Sequence, residues 1–367
     1  MIPQGYPEGL PDLTRHAHDP EMHTLARLHA DVFGEEATVT PLRGDGSARR
    51  IYRLQGAAHA SIGIGGDNVD ENNAFIGFTR AFRQAGLPVP DIHAVAPGRH
   101  CYLEEDLGDT TLYAWLERER AGGDIFPDDA VRYYEGVLAD LMRFQIDGGR
   151  HVDYGLCYQT GMFAEAAMIA DLRYFADMFL ARYRPDLLDE AAFARDAAAL
   201  VRELLHADRT HFLYRDFQSR NVMVTPAGPR YIDYQSGRRG ALQYDVASLL
   251  YDAKARIPQS VRDHLVAHYI AICATHARLH GVSFDAGQFE ALYPAFAIMR
   301  VVQALGAFGN LGGRQGKPGF LSAIPPALDN LAILVERASI LASLPHLRAI
   351  FVALAADASL HSISEEA

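Results

Sequence analysis

Apolar residues recur along this chain with two periods, and the change from one to the other divides it. Over residues 37–104 short β-prone runs dominate, and 37–43, 50–54, 60–64, 89–95 and 100–104 each read as a strand. Two helices accompany them. Asp19-Pro20 opens the first, in which Met22, Leu25, Leu28 and Val32 fall at helical spacing before Gly34. Asp70 and Glu71 open the second, with Phe75, Phe78 and Phe82 along one face and Gly86 and Pro88 at its end. Beyond residue 109 the period is helical, and 110–120, 128–145, 160–182, 190–206, 260–280 and 293–308 predict helices. The pattern predicts an α+β fold of two lobes, an N-terminal β-rich lobe over 1–105 and a mainly helical lobe over 106–367.

One β-like stretch lies inside the helical half. Residues 212–234 read FLYRDFQSRNVMVTPAGPRYIDY, two apolar runs over 221–225 and 230–234 about the turn residues 226–229. That is a hairpin. Its ends carry polar groups that the apolar pattern does not require: Asp216 and Asn221 before the first strand and Asp233 at the end of the second. Folding the hairpin gathers two carboxylates and an amide oxygen. Phosphoryl transfer needs such a set, one carboxylate to orient the attacking hydroxyl and a second with an amide oxygen to hold Mg²⁺ on the phosphates. Four residues separate Asp216 from Asn221, the spacing of a kinase catalytic loop.

Other parts of the chain fit that chemistry. The turn between the first two strands carries Gly44, Gly46 and Ser47 followed by Arg49 and Arg50, so backbone N–H groups and a cation are available to a phosphate. Five strands with a helix after the third match the plan of a kinase small lobe. The stretch 102–108, with Glu104 and Asp106, then becomes a hinge whose backbone meets an adenine edge. In the helical half, Asp245 at a helix start reads as a dipole-stabilising carboxylate. Arg300 and Gln303 share a face of an apolar helix, where they meet either the core or a polar substrate. The Gly-rich residues 312–319 read as a loop or lid. His264/His268 and His276/His280 are ordinary helix-face pairs, since no acidic motif accompanies them.

Composition narrows the function. A net charge of −12 argues against a nucleic-acid partner. No apolar run is expected to span a bilayer. The opening residues, with Pro3, Glu8, Pro11 and Asp12, lack a signal-peptide pattern, so no membrane partner and a cytoplasmic location are expected. Three isolated cysteines, Cys101, Cys157 and Cys273, fit a reducing compartment.

The segments GDGSARRIYRL from Gly44, YLEEDLGDTTL, YRDFQSRNVMV, YIDYQSGRRG and YDVASLLYD, in that order, resemble the aminoglycoside phosphotransferase and choline kinase-like enzymes, which have a protein-kinase-like fold. Within that group the chain is most similar to bacterial sugar kinases of the N-acetylmuramate/N-acetylglucosamine anomeric type. The resemblance implies ATP and Mg²⁺ as cofactors, Asp216 as catalytic carboxylate and Asn221 and Asp233 as metal ligands. Nucleotide contacts are expected from Gly44, Gly46, Ser47, Arg49, Arg50, Glu71, Glu104 and Asp106, and acceptor contacts from Gln218, Arg220, Arg300 and Gln303. The chain departs from the family at Tyr214-Arg215-Asp216, where His-x-Asp is common, and in lacking a Gly after Asp233-Tyr234. The third strand, His59 to Ile64, also has no lysine to pair with Glu71. The expected reaction is phosphorylation of a sugar hydroxyl, with the anomeric hydroxyl of an N-acetylated amino sugar as acceptor. The alternatives are an aminoglycoside or amino-alcohol kinase, for which Asp171, Asp177 and Asp252 supply an acidic pocket, and a non-catalytic nucleotide-binding regulator.

Overall fold

The computed structural model describes residues 20–42, 49–120 and 126–364; Gly44, Gly46 and Ser47 lie outside them. Among the described residues, those up to Val69 together with Asp91–Asp106 form one compact unit, and Asp70–Pro90 with the chain from Leu107 onward form another.

The smaller unit is helix α1 (Pro20–Phe33) on an antiparallel sheet of β1 (Thr38–Leu42), β2 (Arg50–Gln55), β3 (Ala60–Gly65), β4 (Ile92–Val95) and β5 (Cys101–Glu105), in the order β1-β2-β3-β5-β4. Alternate residues of β3 explain its small side chains. His29 of α1 meets Ser61 at 2.9 Å, while a Cβ on Gly63 would fall 2.9 Å from Leu25 and one on Gly65 would overlap the Glu21 carboxylate. Residues 21, 25 and 29 are one helix face at i, i+4, and 61, 63 and 65 one strand face, so the two periods match in register. Leu25, Leu28, Tyr52, Leu54, Cys101 and Leu103 fill the core beneath.

The larger unit begins with α2 (Val69–Gln84) from Asp70. A single cut at 105/106 gives α2 to the β-rich half, but its aromatic face is spent elsewhere. Phe75 stacks on Tyr234 at 4.8 Å, and Phe82 sets its edge against Phe144 and Phe212 at 4.9 and 5.1 Å. Then come α3 (Leu112–Arg120), α4 (Asp128–Ile146) and α5 (Glu165–Phe175), which runs through a π turn (Ala176–Leu180) into α6 (Ala181–Tyr183), and α7 (Glu190–Leu204). Two strand pairs follow, β6 (His211–Leu213) with β9 (Arg238–Gly240) and β7 (Val222–Thr225) with β8 (Gly228–Tyr231), before α8 (Leu242–Leu250), α9 (Gln259–His280), α10 (Ala286–Phe308), α11 (Ile324–Arg337) and α12 (Pro345–Ala355).

Three expectations are corrected here. The hairpin turn is only Pro226-Ala227, because Gly228 and Pro229 pair with Thr225 and Val224, and Asp233 lies past the strand rather than at its end. The Gly-rich stretch is no open loop at its start, since Gly309–Arg314 continues α10 as a π turn and Gly312 is packed so closely that a Cβ would fall 2.9 Å from Leu321. Finally, Ala286–Arg314 is long and apolar enough to cross a bilayer by composition. Of its most apolar window 72% is buried inside the protein, which accounts for that hydropathy by core packing.

Candidate active site

β6 leads straight into Tyr214-Arg215-Asp216, and β9 and α8 hold that turn from below. Tyr214 is fully buried, donates its hydroxyl to the Ile232 carbonyl at 2.6 Å and sits edge-on to Phe144, Phe217 and Tyr234. Arg215 has φ +83°, a left-handed backbone that costs a non-glycine residue about 1–2 kcal/mol. Something must hold it there. Asp245, fully buried in the first turn of α8, accepts the Tyr214 and Arg215 backbone N–H groups at 2.7 and 2.9 Å and the Gln145 amide at 3.0 Å. Burial raises the Asp245 carboxyl to about 7, against those hydrogen bonds, which lower it. The dipole reading of Asp245 thus gives way to a larger role, the anchoring of the turn that presents Asp216.

Asp216 is partly buried, and no hydrogen bond is made to its carboxylate among the described residues. Burial raises its pKa, the charges of Arg215 and Arg300 lower it, nearby Asp233 raises it and Arg238 lowers it. Its carbonyl accepts Gln218 N–H at 2.9 Å and the Asn221 amide at 2.8 Å. Ser219, between them, donates its N–H and hydroxyl to Asp252 at 3.2 and 2.5 Å.

Asn221 and Asp233 meet across the base of the hairpin. The Asn221 amide nitrogen lies 3.2 Å from Asp233 Oδ2, and Gln235 Nε2 donates to Asp233 Oδ1 at 2.9 Å. Asp233 has φ +70°, the second left-handed residue of the site. With the Asn221 nitrogen so engaged, its amide oxygen and the Asp233 carboxylate remain as a hard oxygen donor pair, the ligand type that Mg²⁺ takes. Gln235, which is 5% exposed, also reaches Glu71 at 3.4 Å. The Glu71 carboxylate, for which the third strand offers no lysine, is therefore joined through Gln235 to Asp233. Tyr234 completes the link by a 2.6 Å hydroxyl contact with Thr79 of α2.

Around Asp216 stand three arginines. Arg215 pairs with Asp171 at 2.7 Å and packs over the rings of Phe163 and Tyr244. Arg238 bonds Ser236 O at 3.0 Å, Thr160 at 3.2 Å and Gln159 at 2.5 Å. Arg300 bonds Ser248 at 2.9 Å and Gln303 at 2.6 Å. Arg238 stands out in the pattern only as part of the short basic pair Arg238-Arg239, which fits a compact phosphate better than a polymer. Of the other expected acceptor residues, Gln218 lies in the Asp216 loop, and Arg220 extends over the ring of Phe320.

In the smaller unit two of the expected nucleotide residues, Arg50 and Asp106, form ion pairs with other residues of that unit. Arg50 binds Glu21 through Nε at 2.6 Å and Asp67 at 3.3 Å; Arg53 holds Asp106 at 2.7 Å. Glu104 is buried at the next-to-last position of β5, opposite Ile62, and Arg49 is partly exposed just before β2.

A family described as "Phosphotransferase enzyme family" matches residues 38–282. An N-acetylmuramate/N-acetylglucosamine kinase of Pseudomonas aeruginosa is 28% identical over 87% of this chain and 91% of its own length. One of Neisseria meningitidis is 30% identical over 70% of this chain and 72% of its own. Among solved structures, a microcompartment-associated aminopropanol kinase shares the fold with a TM-score of 0.59 at 16% identity, covering 88% of this chain and 98% of that one. A choline kinase of Streptococcus pneumoniae does so at 0.54 and 12%, covering 84% and 98%.

Proposed function

The chain belongs to the phosphotransferase enzyme family as a small-molecule kinase with a hydroxyl acceptor, and from that premise we propose that it phosphorylates a sugar, using Mg²⁺-ATP. The acceptor group in this reading is the anomeric hydroxyl of an N-acetylated amino sugar. The observation that carries it is the Asp216 carboxylate, held by an anchored turn yet left without a protein partner among the described residues, beside the Asn221–Asp233 pair.

Asp216 accepts a hydrogen bond from the acceptor hydroxyl and orients it for in-line attack. An anomeric hydroxyl is more acidic than an ordinary alcohol, so orientation contributes more than basicity. Asn221 and Asp233 would hold Mg²⁺, which when bound offsets phosphate charge. Gln235 fixes the Asp233 carboxylate and joins it to Glu71.

The geometry disfavours a cationic acceptor such as an amino alcohol. Two of the three acids considered for its pocket are paired with arginine, Asp171 with Arg215 and Asp177 with Arg173 at 3.0 Å, while Asp252 accepts from Ser219. Arginine charge surrounds Asp216 instead. The test is ADP release with Mg²⁺-ATP across N-acetylated sugars, simple sugars and amino alcohols. Sugar-dependent turnover is expected, and turnover with amino alcohols alone would reject the acceptor class.

A further inference from the structure

The larger unit contains a cavity of about 400 Å³ between the end of α4, the start of β6, Arg239 of β9 and the chain that follows α9; none of Asp216, Asn221 and Asp233 lines it. A smaller cavity of about 120 Å³ shares His211, Leu242, Ser283 and Phe284 with it. The larger volume is that of a small-molecule site. Its apolar walls are Ile146, Val152, Leu242, Val282 and Phe284. Its charges have one sign: Arg150 and Arg239 line it, no carboxylate does, and neither arginine forms an ion pair among the described residues. Burial lowers the His211 pKa against Asp208 at 3.2 Å, and Arg150 lowers it further, which leaves that ring neutral near pH 7. The walls are already set. Arg239 lies over the Tyr154 ring at 4.0 Å and donates to the Thr210 carbonyl at 3.1 Å, so most of its five N–H donors are free of protein acceptors among the described residues. Tyr154 donates its hydroxyl to the Gly149 carbonyl at 3.1 Å, and Gln145 donates to Leu242 O at 3.2 Å and accepts the Tyr269 hydroxyl at 2.5 Å. A guanidinium held flat on a ring loses little freedom when it meets an anion.

We propose that this cavity binds a small organic anion, a carboxylate or phosphate monoester on an apolar body, with Arg239 and Arg150 at the anionic group and Ile146, Leu242 and Phe284 around the body. A planar guanidinium presents paired N–H donors that either group takes. Neither charge nor apolarity alone accounts for the lining: a bare inorganic ion leaves the apolar walls uncovered, and a hydrocarbon leaves the arginines without an anion. The assignment is independent of the acceptor at Asp216 and of the kinase reaction. An occupant would nevertheless touch two supports of the catalytic turn, since Gln145 also bonds Asp245 at 3.0 Å and His211 opens the strand that runs into Tyr214-Arg215-Asp216.

The experiment titrates the full chain with phenyl phosphate, benzoate and benzyl alcohol by calorimetry, in the wild type, Arg239→Gln, Arg150→Gln and Ser283→Trp, with a melting curve for each. Ser283 is exposed where it lines the cavity, so an indole there blocks the opening without entering the core. At least one of the two anions is expected to bind the wild type, with benzyl alcohol weaker by about tenfold or more. Each Gln variant should weaken that anion by about tenfold, and Ser283→Trp should abolish its binding. A preference between phenyl phosphate and benzoate assigns the anionic group. Three results overturn the proposal: no binding of either anion at millimolar concentration, equal binding of benzyl alcohol, or an affinity unchanged in folded Arg239→Gln and Ser283→Trp, which would put the anion elsewhere. If Arg239→Gln does not fold, Arg150→Gln and Ser283→Trp, both at exposed positions, decide the matter.

Discussion

The turn around Asp216 and the strand pair around Arg50 spend their charges in opposite ways. In the larger unit Asp245 and Gln235 are buried and bonded to backbone or to other site residues, and the carboxylate expected to do the chemistry is left open. In the smaller unit the side chain of Arg50 is 45% exposed and tied to Glu21. The difference teaches where preorganisation resides. The surroundings of Asp216 are built into the folded core of the larger unit, while Arg50 must exchange a protein partner for a phosphate if it is to bind nucleotide.

Removing the anchor breaks the contrast most severely. Asp245→Ala strands two backbone N–H groups and the Gln145 amide, and is expected to cost about 3–5 kcal/mol in chemical denaturation. Arg50→Ala should cost at most about 1 kcal/mol, as an exposed pair does. A loss of similar size in both would remove the distinction.

The same carboxyl gives a pH test. Its folded value is raised from 3.8 to about 7, so the folded state keeps a proton that the unfolded chain releases first. The stability it contributes is complete below about pH 4 and is lost as the pH rises through about 7. Asp245→Asn should flatten that part of the stability profile, and an unchanged profile would place the titration elsewhere.

Gln235→Ala is a smaller probe of the larger unit. Loss of its bonds to Asp233 and Glu71 should lower kcat/KM for Mg²⁺-ATP by about 10- to 100-fold and raise the Mg²⁺ requirement, as loss of a residue supporting a metal ligand does. Smallest is Glu21→Ala, which releases Arg50. It should leave the KM for ATP unchanged or lower it, and a raised KM would show that the pair positions Arg50 instead.

Much of this was legible in the pattern, for physical reasons that particular residues make clear. Asp216, Asn221 and Asp233 stood out because polar groups at hairpin ends have no packing reason to be there. The hairpin bounds were misjudged because Gly228 and Pro229 are turn residues by chemistry yet pair in β8. Asp245 was read locally, since a carboxylate in a first helical turn already has an explanation, and its partners lie 30 to 100 residues away. Arg238 was hidden because β9 is three residues long, too short for alternation to show which side is buried. The glycines at 312 and 313 serve close packing: a Cβ on Gly313 would fall 2.6 Å from the Tyr183 hydroxyl. Composition does not separate that use from a flexible lid.

The central claim is that an open, anchored Asp216 carboxylate orients a sugar hydroxyl. Its most direct test is sugar-dependent ADP release by the wild type and Asp216→Asn, with melting curves to verify folding. The account predicts turnover with an N-acetylated sugar and a loss of about 10²- to 10⁴-fold in the variant, with an unchanged fold. A folded Asp216→Asn that turns over within a few-fold of the wild type would contradict it.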